Sequence, residues 1–375
     1  MSKTLLDQVS RHRKEIKHEV ITYGLSELIT MHRSGDIKIQ PEYQRLFRWN
    51  RDQQSLFIES LILEIPIPPL FFYEDKDGKW ELLDGLQRLS TVLKFMGTEQ
   101  DVEQPYLGTA NNENEWHEET RNTIDVPLQL VGTDYLSELD GFTFVRLPTS
   151  LQLNLKRSRV QIYVLKRETH PSYKYEVFKR LNTAGAQLAD QEIRNAATRL
   201  INDRFPDFLQ ELGKHVAFLG ALQLDDDEVR EARADELALR FLTMKNHHSK
   251  FTHDVRELLT EYMKQVSSGS IPFDFDSEKA LFARTWTQIQ KATADGKIFR
   301  PKRGGMFAPT VFELVGLGVA FNIDKAEALE ANVLLEKLEL FVQTAKNDAL
   351  TGPGSNSKKK TLGRVQRARE FLSDL

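Results

Sequence analysis

The stretch "ELLDGLQRLSTVLKFMG", residues 81–97, sets an acid, a glycine, an amide and a guanidinium between Asp84 and Arg88. An apolar, strand-like run stops at Asp84-Gly85, and Leu89, Val92, Leu93 and Met96 then recur at helical spacing. Gln87 and Arg88 therefore stand in the first turn of a helix, where backbone N–H groups lack partners and the dipole is already positive. A cation there breaks a local rule, which makes it a candidate for function. The chemistry on offer is anion binding. Helix N–H groups favour a negative ligand, Gly85 lets it approach the backbone, and Arg88 can chelate phosphate oxygens through both arms of its fork. The same spacing also suits an ordinary turn with a solvated arginine, and Gly-x-x-Arg alone is too short to decide.

Three other stretches carry candidate residues. In "PEYQRLFRWN" (41–50), Tyr43, Gln44 and Arg45 lie in a polar, aromatic segment before a helix, and Arg45 offers a second phosphate contact, whereas Trp49 reads as packing. In "VFKRLNTAGAQLADQEIRNA" (177–196), Gly185 suits a helix end and Asp190 a helix cap. Arg180, Asn182 and Arg194 flank that turn without an obvious structural duty and are candidates to close over a ligand. In "SNSKKKTLGRVQRAREFL" (355–372), Lys358, Lys359, Lys360, Arg364 and Arg367 form a basic, amphipathic helix that suits DNA phosphates. The plainer reading is a terminal helix with a wet basic face. "NHHSKFTHDV" (246–255) holds His247, His248, His253 and Asp254, but neither a His-Glu-x-x-His pair nor a ββα-metal spacing, so no metal site is expected.

The elements that must position these residues follow from periodicity. Residues 24–34 read as a helix, 37–40 as a strand, and 51–64 as a helix capped by Asn50, with Phe57, Ile58, Leu61, Ile62 and Ile65 on one face. "LFFYE" (70–74) and "KWELL" (79–83) form a hairpin across "DKDG". Residues 98–127 are polar and aperiodic and read as an insertion. Strand character returns at 143–147 and 160–167. Beyond that the spacing predicts helices at 171–182, 190–199, 202–213, 233–246, 252–267, 277–293, 309–322, 325–346 and 361–373. The pattern predicts an α+β domain over 1–168 and an all-helical domain over 169–375.

Composition narrows the field. A chain of 375 residues with 40% hydrophobic side chains can bury a sizeable core, and its lack of cysteine excludes disulfides, thiolate catalysis and cysteine-based zinc sites. The charged start "MSKTLLDQVSRHRKE" does not read as a signal peptide, and "FELVGLGVAF" is too short to span a bilayer, so a cytoplasmic location with no membrane partner is expected. A net charge of −4 does not by itself advertise nucleic acid.

"DGLQR" (84–88) resembles the Asp-Gly-Gln-Gln-Arg signature of the GmrSD restriction-endonuclease N-terminal domain family, with Leu86 in place of the usual glutamine. Further segments match in order. "PEYQRLFRW" is similar to the family's Pro-x-Tyr-Gln-Arg-x-x-x-Trp, "FIESLILEIPIPPLFFYE" (57–74) to its helix and following strand, and "LSELDGFTFVRLP" (136–148) to the run before its last strand. "VFKRLNTAGAQLADQEIRNA" is similar to its Phe-x-Arg-x-Asn-x-x-Gly-x-x-Leu and Glu-Ile-Arg signature. The resemblance implies a ParB/sulfiredoxin-like nucleotide-binding fold for the first half. It implies an NTP ligand, with Mg²⁺, at a site where Asp84, Gln87 and Arg88 do the chemistry. Tyr43, Gln44, Arg45, Gly85, Arg180, Asn182 and Arg194 would complete the nucleotide site. It implies a stand-alone regulatory subunit that senses foreign DNA, including DNA with modified bases, beside an HNH-type nuclease partner. Leu86 supports an alternative, a non-hydrolysing DNA-binding adaptor, and a ParB-like DNA-nicking activity is a third reading.

The lack of a His-Asn-His constellation generates a direct expectation. The isolated chain should leave plasmid DNA intact with Mg²⁺ or Mn²⁺ until a partner is added, as read on an agarose gel. Robust cleavage that disappears on mutating His247 or His253 would show a nuclease in this chain.

Overall fold

In the computed structural model, residues 2–39, 47, 49–97, 127–169, 171–183, 189–225, 228, 232–293, 297–300, 306–352, 354 and 357–373 are described. The insertion expected over 98–127 lies, but for residue 127, outside them. The chain divides into two units, Met1–Ala186 and Gln187–Leu375. The first is α+β and the second, over its described residues, is helical.

The first unit runs α1 (Ser2–Glu15), β1 (His18–Gly24), α2 (Leu25–Arg33), β2 (Ile37–Lys38), α3 (Arg51–Ile62), β3 (Leu70–Glu74), β4 (Trp80–Asp84), α4 (Leu86–Met96), α5 (Thr149–Arg157), β5 (Arg159–Leu165) and α6 (Pro171–Thr183). Its sheet has the order β1-β5-β3-β4-β2. β3 and β4 form the expected antiparallel hairpin. Its turn is held by the Asp75 carboxylate, which accepts from the N–H groups of Asp77 at 2.8 Å and Lys79 at 2.9 Å. β3 runs parallel to β5, with Leu70 opposite Ile162, and β1 runs antiparallel to β5.

α4 buries Leu89, Val92, Leu93 and Met96, the face read from the sequence. Asn50 caps α3 through its side chain, which accepts from Gln53 N–H at 2.9 Å, and the Gln53 side chain answers to Asn50 N–H. α3 ends earlier than its hydrophobic spacing suggests. Glu64 takes a positive φ of 57°, so the helix closes before the prolines and Ile65 is left 46% exposed. The segment 143–147 is not a strand. Phe144–Arg146 makes a 3-10 turn that buries Phe144 and Leu147 and exposes Val145. Burial at i and i+3 is the period of a turn, not the alternation of a strand.

The boundary between units falls at Ala186/Gln187, later than 168/169. The reason is α6, which buries Tyr175 and Phe178 and lays Lys174 Nζ over the Tyr73 ring of β3 at 3.3 Å. Helical period alone does not say which core a helix joins.

The second unit contains α7 (Asp190–Arg199), α8 (Arg204–Gly213), α9 (Val216–Leu222), α10 (Arg233–His247), α11 (Val255–Ser267), α12 (Phe275–Ala292), α13 (Pro309–Phe321), α14 (Ile323–Glu327), α15 (Ala331–Asn347) and α16 (Lys358–Glu370). α9 was not expected, and the helix read over 325–346 is two helices, α14 and α15. Apolar on nearly every side, α13 lies at the centre, where Phe312 stacks on Trp286 of α12 at 5.1 Å. Among the described residues no helix is long and apolar enough to cross a membrane.

One charge sits in that apolar centre. Glu313 is 2% exposed. Its Oε1 accepts from Arg240 Nε of α10 at 2.7 Å, and its Oε2 from Arg364 Nε of α16 at 2.9 Å. Replacing Glu313 with alanine strands two guanidinium groups in the core, and breaking a buried pair in this way costs about 3–5 kcal/mol. Urea unfolding of Glu313→Ala should show a loss of that size. A loss below about 1 kcal/mol would mean that water reaches the arginines.

Candidate nucleotide site

The site begins where β4 hands over to α4 with a single residue between them. Gly85 holds φ 101° and ψ 20°. A Cβ at this position would lie 2.3 Å from Leu70 Cδ2, a separation no carbon atoms tolerate. The backbone conformation requires glycine, and a side chain here would also push Leu70 aside. Its carbonyl accepts from Leu89 N–H at 2.8 Å and closes the first turn of α4. The turn leaves the leading N–H groups of α4 facing the Asp84–Gly85 bend, the arrangement that favours an anion.

Arg88 folds back over this turn. Its Nη2 donates to Asp84 Oδ2 at 2.7 Å, and the two side chains are 14% and 27% exposed. The solvated arginine of the plainer reading is not what forms: the guanidinium is largely covered and has a carboxylate partner. Gln87 faces the other way. Its Oε1 accepts from Trp49 N–H at 3.0 Å, and its carbonyl accepts from Thr91 Oγ1 at 2.7 Å. Trp49 in turn packs against Phe57 with ring centroids 5.4 Å apart. Gln87 therefore ties the segment before α3 to the start of α4. Phe47 is held on the same helix, under Lys94 Nζ at 5.4 Å. Lys94 was not singled out from the sequence. Burial holds its ammonium pKa below the usual lysine value. Tyr43, Gln44 and Arg45 lie outside the described residues.

Residues 25–199 match the family model of the GmrSD restriction endonuclease N-terminal domain. This stretch is a GmrSD N-terminal domain. No curated protein and no solved structure matches the chain. The match over residues 25–199 suggests a role related to restriction and implies an action on DNA.

The second GmrSD signature is divided between the two units. Arg180 stands on α6, 81% exposed, with Nε 3.8 Å from Glu176 of its own helix. Asn182 lies in the same helix, its side chain outside the described residues. Arg194 belongs to α7 and is buried. Its Nε donates to Thr260 Oγ1 at 3.2 Å and its Nη1 to Gln191 Oε1 at 2.7 Å, while Glu236 lies 3.5 Å away. The nucleotide contact expected of Arg194 is corrected: its donors are committed inside the helical unit. Its neighbour Asn195 donates to Asp235, whose carboxyl pKa burial pushes up to about 6.

The basic terminal helix α16 also sorts itself. Lys358 and Lys359 are exposed. Lys360 Nζ donates to Gly354 O at 3.2 Å, and Arg367 faces Asp348 at 3.4 Å. Arg364 is 1% exposed and bonded to Glu313, so the DNA contact expected of it is corrected too. A sequence reading places it on a helix but not on the inner face. Among the described residues no group of three His, Cys, Asp or Glu side chains is placed to hold a metal.

Gly85→Ala should test the turn that builds the site. It combines a strained left-handed alanine with a clash at Leu70, together about 2–4 kcal/mol. Chemical denaturation should show that loss. A change below about 0.5 kcal/mol would mean that the strand–helix joint accepts a side chain.

Proposed function

We propose that this chain is an NTP-binding and NTP-hydrolysing regulatory subunit that senses DNA, including DNA with modified bases, in a restriction or anti-phage system. In this reading a separate HNH-type nuclease cuts the DNA. The observation that carries it is the β4–Gly85–α4 turn. There the left-handed Gly85 carries β4 directly into α4, and the leading helix N–H groups meet the Arg88 guanidinium at one bend.

The residues fit a nucleotide's phosphates. Gly85 makes the sharp turn, the leading N–H groups donate to the negative charge, and Arg88 supplies the fork. Mg²⁺ is held in many nucleotide sites by one carboxylate plus phosphate oxygens, and Asp84 is the carboxylate at hand. Phosphate competes with Asp84 for the Arg88 donors, so nucleotide binding would release Asp84 for a cation. Gln87 acts by fixing Trp49 and the start of α3. Tyr43, Gln44, Arg45, Arg180 and Asn182 remain proposed nucleotide contacts, and Lys358 and Lys359, with Lys360 and Arg367, proposed DNA contacts. Leu86 favours a second reading. It replaces the first glutamine of the signature with a side chain that cannot orient water, which suits an adaptor that binds nucleotide without hydrolysing it.

Calorimetric titration with ATP, GTP and CTP tests the site. A charge-assisted guanidinium–phosphate bond is worth about 1.5–3 kcal/mol. Arg88→Ala should therefore weaken binding about 10- to 150-fold. Arg88→Lys should recover little, because a point charge lacks the planar fork. Arg88→Ala should also melt a few degrees lower, since it leaves Asp84 half-covered and unpaired. Undiminished binding of every nucleotide by Arg88→Ala would falsify the phosphate site. Phosphate release measured with and without DNA separates the hydrolysing subunit from the adaptor.

A further inference from the structure

A groove of about 570 Å³ opens in the first unit between the α3–β3 connection and the α5–β5 junction. Glu64, Ile65 and Ile67 line one wall. Asn154, Arg157, Ser158 and Arg159 line the other. Arg157 and Arg159 are exposed, and neither has an ion pair or side-chain hydrogen bond among the described residues. That sets them apart from Arg88 and, in the helical unit, from Arg194, Arg240, Arg284 and Arg364, each of which faces a carboxylate. Arg157 complements the carbonyl end of α5. Arg159, already in β5, has no such duty.

The groove also lies at a telling place. Leu70 pairs with Ile162 and Phe71 with Asp84, so the start of β3, the end of β4 and the start of β5 share one end of the sheet. Arg159 thus stands at the same end as Gly85, two strands across and three residues before Ile162. Strand spacing and rise put the two backbones roughly 15 Å apart. That is about four base-pair steps at ~3.4 Å each.

We propose that this groove is the duplex-DNA surface of the first unit, with Arg157 and Arg159 on successive backbone phosphates and Ile65 against the sugars. The choice of DNA rests on the reading given above for the chain. Unpaired, exposed guanidinium groups along an open groove suit a backbone that passes through, not a small anion that must be enclosed. The surface carries no base-reading pattern and acts by positioning the duplex at the phosphate-binding end of the sheet.

The test is fluorescence anisotropy of a labelled duplex of about 20 base pairs on the full chain, over roughly 50 to 200 mM salt. Arg157→Ala/Arg159→Ala should lose at least about tenfold in affinity at low salt. Its log–log salt slope should fall by about 1.8, two contacts at about 0.9 each. Arg157→Lys/Arg159→Lys should keep the slope, which guards against loss through misfolding. Lys337→Ala/Lys346→Ala on α15 is the charge-matched control and should bind as wild type. A double-alanine slope equal to wild type, an equal loss in the control, or no duplex binding by wild type overturns the proposal. Calorimetry with ATP on the same preparations keeps the two readings apart. A wild type that ignores nucleotide but whose duplex slope depends on Arg157 and Arg159 sinks the nucleotide reading and leaves the groove standing.

Discussion

A strand that must become a helix within one residue leaves no volume for a side chain at the joint, and the first unit is arranged around that constraint. Because Gly85 has no Cβ, Leu70 can lie against it, which brings the start of β3 beside the end of β4. Because its φ is positive, β4 passes directly into α4, with the first N–H groups of the helix at the bend. Gln87 then catches Trp49, and Trp49 packs on Phe57 of α3. One backbone conformation thus fixes a helix end, a neighbouring helix and the placement of Arg88.

The Asp84–Arg88 pair gives the site a ground state of its own. A guanidinium left beside positive helix N–H groups would be repelled, and the carboxylate one turn back relieves that. The pair is covered enough to be oriented and open enough to be exchanged. A tetrahedral phosphate group also presents two oxygens to a guanidinium fork, with more charge than a carboxylate. The local rule that Arg88 breaks in the sequence is repaired in the fold by Asp84.

Much of this was legible beforehand, and the failures have physical causes. The β3–β4 hairpin, β5, the buried face of α4 and the turn at Asp84–Gly85 all rest on local period and turn chemistry, which act over a few residues. β1 was not read, because "HEVITYG" is an edge strand with Val20 exposed and owes its form to seven pairings with β5, far along the chain. The 3-10 turn at Phe144 is not legible in the sequence because a five-residue run cannot distinguish alternation from i, i+3 burial. Arg194 and Arg364 were singled out as arginines in suggestive motifs. Their partners, Thr260, Glu236 and Glu313, are distant in sequence, and no local pattern announces them. Arg157 and Arg159 carry no sequence signal for the opposite reason: a short basic run at a helix end is ordinary, and only the groove beside it sets it apart.

The Glu313 cluster has a consequence for how the helical unit comes into being. Its carboxylate takes one guanidinium from Arg240, made well before it, and the second from Arg364, made well after it. During synthesis the emerging unit can pair Glu313 with Arg240 but must hold its other oxygen in reserve. α13 also lacks the cover of Phe371, which packs on Phe341 of α15 at 4.5 Å. Without residues 358–372, Glu313 has Arg240 but not Arg364 for a partner. Closure of the helical unit therefore waits on α16, whose Arg364 completes the pairing of Glu313.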